Sequence, residues 1–233
     1  TPSRALRNTR AVASPIAAGH ACLSAEERDL GVALVELGAE VTTVSVHAGG
    51  MLLGLASIPM GSGDITDAIA SAFGIRRFQA ERLKCVNGSA IASPADHREM
   101  IAINAPGEEN TGPVARNADE ANRIPRAELV SVITRHLGRL MEEVNKALKG
   151  LGFTGNRGQL VVFTGGGAEL VGLADFAQQA LGKPVRIGKA PLVLYAAADP
   201  VDIRAVGPSY QPTIRYAGMG LVVRIWRALR EYF

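Results

Sequence analysis

Val161-Val-Phe-Thr-Gly-Gly-Gly-Ala-Glu-Leu-Val-Gly-Leu173 is the stretch from which the rest of the chain is read. Its first apolar residues suit a buried strand, and the consecutive Gly165, Gly166 and Gly167 then break it. Lacking Cβ atoms, these glycines let the backbone approach a ligand closely. A helix over Glu169 to Leu181 is expected to begin at once, and its first amides favour anionic or polar ligands. The plainer alternative is a tight strand–helix turn with no ligand at all.

Outward from this turn, Pro184 to Ile187 reads as a second strand. On the N-terminal side, Leu129, Val132, Ile133, Leu137, Leu140, Met141, Val144 and Leu148 recur at helical spacing. They predict a long amphipathic helix over 125–151, packed on a sheet, with Pro125 suited to its first turn. Residues 31–59 hold three β-type runs, Gly31 to Leu37, Val41 to His47 and Met51 to Ile58. Connections this short describe an antiparallel meander. In the second run Val44 and Val46 alternate with Thr43, Ser45 and His47, so that polar side is expected to be less buried. Between meander and long helix, a helix capped by Asp64 and closed by Gly74 is expected, then a short one over Gln79 to Lys84. Val86 to Ile91 and Glu99 to Ile103 are expected as strands, and Pro106 to Asn122 as an exposed loop. The tail from 199 to 218 carries Pro200, Pro208 and Pro212 and reads as a linker. Strands and helices in this order indicate an α/β or α+β layered domain.

The chain has 233 residues, 47% of them hydrophobic and 20% charged, an ordinary globular composition. A unit of this size buries roughly 70% of its unfolded surface and needs no disulfide or metal support. The net charge of +3 is too small an excess to argue for nucleic acid. Cys22 and Cys85 are not arranged as a zinc site and read as reduced thiols. Val41 to Gly63 carries no formal charge over a length that could span a bilayer, but its Thr, Ser, Gly and Pro residues argue against a span. The chain begins at Thr1, with Arg4, Arg7 and Arg10 and no signal-peptide core, and an incomplete N-terminus is expected.

Thr164-Gly-Gly-Gly-Ala-Glu-Leu-Val-Gly172 closely resembles the adenosine motif of the actin/Hsp70/sugar-kinase ATPase superfamily. That superfamily's second phosphate loop is a hairpin of the form Asp-aliphatic-Gly-x-Gly-Thr, and Glu36-Leu-Gly-Ala-Glu-Val41 stands in its place. Glu36 keeps the acid and Gly38 one glycine, but Glu40 and Val41 replace the second glycine and the threonine. A carboxylate at Glu40 repels phosphate unless it is turned away. Gly63-Asp-Ile-Thr-Asp-Ala-Ile-Ala-Ser-Ala-Phe73, Ala80-Glu-Arg-Leu-Lys84, Gly88-Ser-Ala90, and upstream Val12 to Gly19 and Glu26 to Val32 are similar to the bacterial cell-division protein FtsA family.

The resemblance implies the second domain of an actin/Hsp70-like ATPase, an RNase H-like sheet with flanking helices and an inserted α+β subdomain. Its implied divisions are a remnant of the preceding domain over 1–30, a core over 31–62 and 157–198, and an insertion over 63–156. The linker at 199–218 and an anchor helix over 219–233 follow. The implied cofactor is ATP with Mg2+ at a half-site formed by Glu36, Gly38, Glu81, Lys84, Gly165, Gly166 and Gly167. From residues alone, Glu81 and Lys84 are equally solvated charges three apart on a helix. The family's first phosphate loop is not among these residues, so no competent ATPase is expected. The implied partners are the FtsZ C-terminal tail, further copies in a polymer and an anionic membrane, on the cytoplasmic face of the inner membrane at the division site. Arg135 and Arg139 are the candidate tail contacts, with solvated helix charges as the alternative. A sugar- or acetate-kinase-like phosphotransferase and a pilus-assembly adaptor of the same superfamily are the rival readings.

The extreme C-terminus, Leu221 to Phe233, carries its own signal. At helical spacing Val222, Ile225, Trp226, Leu229 and Phe233 share one face, with Arg224, Arg227 and Arg230 opposite. Thirteen residues are too few to cross a bilayer but suit a helix lying in the interface of an anionic membrane.

Overall fold

The computed structural model describes residues 14–103, 123–155 and 159–189. The loop at 106–122, the linker at 199–218 and the anchor at 219–233 lie outside the described residues. In chain order the elements are α1 (Ser14–Cys22), α2 (Ala25–Leu30), β1 (Val32–Leu37), β2 (Thr42–Ala48), β3 (Met51–Ile58), α3 (Ser62–Phe73), α4 (Arg77–Asn87), β4 (Met100–Ala102), β5 (Arg123–Pro125), α5 (Arg126–Gly150), β6 (Leu160–Thr164), α6 (Leu173–Leu181) and β7 (Val185–Ile187).

The expected meander forms. β1 pairs antiparallel with β2, and β2 with β3. On its other side β1 runs parallel to β6, and β6 to β7, giving a five-stranded sheet in the order β3-β2-β1-β6-β7. β4 and β5 form a separate antiparallel pair. One face of the large sheet presents Val35, Leu37, Val44, Val161 and Phe163 to a core shared with Leu129, Ile133, Leu137, Met141 and Val144 of α5. Spacings of three and four along α5 put those side chains on one stripe, and the long helix covers that side together with α6, whose Leu173, Ala177 and Leu181 join the same core. Against the opposite face, Leu23, Ala18 and Cys22 pack on Val32, Leu34 and Val162.

That second layer corrects the reading of β2. Ser45 and His47 are buried, at 1% and 3% exposure, because α1 covers the face on which they lie. A Cβ added at Gly19 of α1 would sit 2.7 Å from the His47 ring. Several boundaries also move. α3 starts with Gly61 as its cap, and Asp64 sits three residues in, accepting from the Gly61 amide at 2.7 Å. Gly74 closes α3 in the left-handed conformation, as expected. α4 is longer than expected and takes in Val86 and Asn87, so no strand forms over 86–91 and only Ser89 bridges Val171. Pro125 ends β5 and precedes the first turn of α5. After Gly165 the chain makes one 3-10 turn over Gly166–Glu169, and α6 begins only at Leu173. The Ser89 bridge and the left-handed Gly172 hold Leu170 to Gly172 out of the helix.

Gly165 has φ of +92°, and a Cβ there would lie 2.5 Å from the Leu37 carbonyl oxygen. A Cβ at Gly166 would meet nothing within 4 Å. Gly165→Ala is therefore expected to cost about 2 kcal/mol or more through backbone strain and displacement of β1. Gly166→Ala is expected to change stability by less than about 1 kcal/mol. Urea midpoints of the two variants check the contrast, which disappears if both shift equally.

Candidate functional site

Three segments meet beyond the end of β1. The glycine turn lies against Leu37, and a Cβ at Gly167 would come 2.5 Å from the Leu37 Cγ and 3.0 Å from the Ser62 Cβ. The β1–β2 hairpin is closed by the Gly38 amide donating to the Val41 carbonyl at 3.2 Å. The first amides of α3 clasp that hairpin, Ser62 donating to the Gly38 carbonyl at 2.8 Å and Gly63 to the Ala39 carbonyl at 2.7 Å. Helix-start amides that would otherwise lack partners are thus used to hold the hairpin. Gly165 and Gly167 are explained by close packing. Gly166 is the glycine of the three whose Cα faces open space.

Glu36 accepts from the Ser14 hydroxyl, at 2.9 Å for the nearer carboxylate oxygen. Glu40 is turned toward Arg77, 3.5 Å from its guanidinium, with both side chains largely exposed. The carboxylate that replaces a glycine of the superfamily hairpin is therefore drawn aside toward a cation.

Glu81 and Lys84 are not solvated charges. The Lys84 side chain is 9% exposed, and its ammonium donates to the Ser62 carbonyl at 3.0 Å, the Thr66 hydroxyl at 2.8 Å and the Glu81 carboxylate at 2.7 Å. The Thr66 hydroxyl also donates to Glu81. Burial pushes the Glu81 carboxyl up, but the hydrogen bonds from Lys84 and Thr66 and the ammonium charge outweigh it and hold it below its ordinary value. The neighbouring Cys85 thiol is pushed up to about 11 by burial and by Glu81, so it is a thiol and not a thiolate near neutrality. Ser62 and Thr66 were missed from sequence. Their only signal was a four-residue spacing on the face of α3 that meets α4.

Arg135 and Arg139 come together in a groove of about 540 Å3 between α3 and α5. His136 lies beside them, Asp64 and Asp67 come from α3, and Met60, Ala68 and Val132 add apolar surface. Arg135 and Arg139 make no ion pair among the described residues, whereas Asp67 binds Arg77 at 2.7 Å. Burial, then Arg139 and Arg135, lower the His136 pKa against the opposing pull of Asp64. Among the described residues no group of three His, Cys, Asp or Glu is placed to hold a metal ion. None of the described helices is long and apolar enough to cross a membrane. The anchor residues Arg224, Ile225, Trp226, Arg227, Leu229 and Phe233 lie outside the described residues.

The family model described as Cell division protein FtsA matches residues 33–207. The chain belongs to the FtsA family. It is 31% identical over 242 residues to the FtsA of Agrobacterium fabrum, covering 95% of this chain and 53% of that protein. Against the FtsA of Rhizobium meliloti the identity is 33% over 207 residues, covering 87% and 45%. The FtsA of Escherichia coli is 30% identical over 185 residues, covering 79% and 43%. The chain thus spans about half the length of the FtsA relatives it matches. Among solved structures it is similar to the ethanolamine utilization protein EutJ from Carboxydothermus hydrogenoformans, with TM-score 0.53 and 19% identity over 78% of this chain and 51% of that one. It is also similar to MreB5 of Spiroplasma citri bound to ADP, with TM-score 0.55 and 18% identity over 75% and 53%. At these identities the likeness establishes the actin-like fold, as expected from the glycine turn. A type IV pilus PilM-PilN complex shares that fold at TM-score 0.52 and 20% identity over 75% of this chain and 40% of that one, but the family match is to FtsA.

Removing the Lys84 charge leaves Glu81 half-buried and short of its main partner. Lys84→Met is expected to cost about 3 kcal/mol at pH 7. Because the folded Glu81 value lies below its ordinary 4.5, the carboxylate stabilises the native chain above about pH 4.5 and loses that contribution as pH falls through its lowered value. In the variant, burial acts with less opposition, so its deficit is expected to be smaller at pH 4 than at pH 7. Urea titrations at the two pH values check this, and an equal deficit at both would refute the coupling.

Proposed function

We propose that this chain is an FtsA-type adaptor that holds the FtsZ C-terminal tail in the α3–α5 groove and is itself held on an anionic membrane by residues 219–233. The observation that carries the reading is the groove. Arg135 and Arg139, without an ion pair among the described residues, stand on one wall, carboxylates stand on the other, and apolar side chains lie between them. Such a surface suits a short amphipathic peptide bearing an acidic group, and either guanidinium can take a carboxylate. The family resemblance implies a tail contact on the long helix near 135–139 without fixing its register, and both arginines line the same groove. The membrane segment contributes three arginines and an apolar face with Trp226. Each cation near an anionic surface adds about 1 kcal/mol, so binding is reversible and is strengthened when copies assemble in a polymer. The place of action is the cytoplasmic face of the inner membrane at the division site.

Nucleotide belongs to the same proposal. Gly166 offers open backbone for an ATP phosphate or ribose, and Glu36, Gly38, Glu81 and Lys84 are the further contacts that the family resemblance assigns. Mg2+ would arrive with the phosphates. Glu40 puts a side chain where the superfamily hairpin has a bare glycine and Val41 lacks the threonine hydroxyl, so the chain binds without turning over and is not an enzyme.

A labelled FtsZ tail peptide is expected to co-sediment with phosphatidylglycerol vesicles only when the intact chain is present. Arg135→Glu or Arg139→Glu should weaken peptide capture about tenfold or more, while Trp226→Glu should free the chain from vesicles and leave peptide binding in solution intact. Capture indifferent to both charge reversals rules out the groove, and retention after removal of residues 221–233 rules out the anchor. For nucleotide, Gly166→Val is expected to weaken binding of a fluorescent ATP analogue with little loss of stability. An unchanged affinity would remove the glycine turn from the site.

A further inference from the structure

The face of the sheet away from α5 holds a second, smaller cavity of about 90 Å3 between α1, α2 and the β2–β3 turn. Its lining is Ile16, His20, Arg28, His47, Gly50 and Leu52, which includes three basic side chains and no carboxylate. His47 forms the buried end, with its Nε2 3.1 Å from the Ser45 hydroxyl and its ring pressed against Gly19. His20 is exposed at the rim. Arg28 is half-buried, and one of its terminal nitrogens donates to the Leu23 carbonyl at 2.9 Å and the Gly19 carbonyl at 3.4 Å. Two neutral carbonyls hold the guanidinium in place without neutralising it. The neighbouring carboxylate of Glu27 is engaged elsewhere, by Arg186 at 2.6 Å. The Gly50 amide donates to the Arg28 carbonyl at 3.1 Å and the Gly49 amide to the Asp29 carbonyl at 3.0 Å, fixing the rim to α2.

Burial lowers the His47 pKa, and the charges of Arg28 and His20 lower it further. Burial and Arg28 do the same for His20. Among the described residues no carboxylate opposes them at either ring. Three bases gathered around one cavity repel one another as protons bind, and an anion between them would remove that cost.

We propose that this cavity is a binding site for a phosphate group, taken as the free ion or as a small monoester whose substituent leaves past His20. Arg28 supplies the fixed charge, and His47 and His20 become donors from the inner and outer ends when protonated. The volume admits one tetrahedral oxyanion and excludes a nucleotide. The site shares no residue with the glycine turn or the α3–α5 groove, so it stands whether or not the tail and nucleotide readings hold.

Imidazole NMR of the full chain provides the test, because the four histidines separate into two in the cavity and two, His97 and His136, outside it. Inorganic phosphate and glycerol 3-phosphate are titrated separately at pH 6 and constant ionic strength, with chloride as the control. Saturable shifts of His20 and His47, with both titration midpoints moving up and His97 and His136 unmoved, are the expected result. A response to the monoester alone assigns the site to esters. Corrected for the protonation of the phosphate itself, binding of the dianion should be weaker at pH 8 than at pH 6, because both imidazoles are then neutral. Arg28→Gln should weaken binding about tenfold. His20→Gln at the exposed rim should weaken it about threefold without disturbing the fold, which keeps the test decisive if the Arg28 variant is unstable. Shifts shared equally by all four histidines, or no response to either phosphate, overturn the proposal.

Discussion

The close approach of the glycine turn to the end of β1 is the contact on which the candidate nucleotide region depends. A Cβ at Gly165 would collide with the Leu37 carbonyl, and one at Gly167 with the Leu37 side chain. With those glycines in place, β6 runs parallel to β1 through the register Glu36↔Thr164, and the hairpin that follows β1 emerges directly beside the turn. α3 then fastens the hairpin, its Ser62 and Gly63 amides taking the Gly38 and Ala39 carbonyls. Gly61 is part of this fastening, since a Cβ there would fall 2.2 Å from the Ala39 oxygen. Hairpin, turn and helix start are packed against one another with little room for independent adjustment.

Lys84 ties α4 to the same point. Its bond to the Ser62 carbonyl reaches the first residue of α3, while its bonds to Thr66 and Glu81 fill its remaining donors. A buried ammonium with three good partners is a structural clasp whatever else it does, because removing any partner strands a charge. Glu81 and Lys84 are thus bound to each other and to α3, and neither side chain is free in solvent.

Periodicity made the sheet and the long helix legible, because β1, β2, β3 and α5 are each decided by their own residues. Leu129, Ile133, Leu137 and Leu148 can only make one stripe. What could not be read depends on partners distant in sequence. Ser45 and His47 alternate with valines as a half-exposed strand does, and nothing in that alternation reveals that α1 returns to cover them. The late start of α6 follows from the Ser89 bridge to Val171, some eighty residues apart along the chain. Glu81 and Lys84 announced themselves as a pair by spacing. Their burial came from Thr66 and Ser62 on another helix. Of the candidate site, the glycine turn was carried by a local motif, and the joining of Arg135 and Arg139 with Asp64 and Asp67 needed the packing of α3 on α5.

That packing gives α3 two tasks at once. Its first residues, Ser62, Gly63 and Thr66, face the hairpin and Lys84, while Asp64, Asp67, Ala68 and Ser71 line the groove opposite Arg135 and Arg139. A rotation of about 100° per residue puts Thr66 about 160° around the helix from Asp64, so these two side chains lie on different sides of neighbouring turns. The contacts to the hairpin and the acidic wall of the groove therefore belong to one helix, capped at Gly61 and closed at Gly74. Its buried Ile65 and Ile69 hold it to the common core. Any displacement of the hairpin carbonyls that carried α3 with it would move Asp64 and Asp67 relative to Arg135 and Arg139 on α5. The hairpin clasp and the acidic wall of the groove are thus joined through a single helix, with no chain of intervening side chains between them.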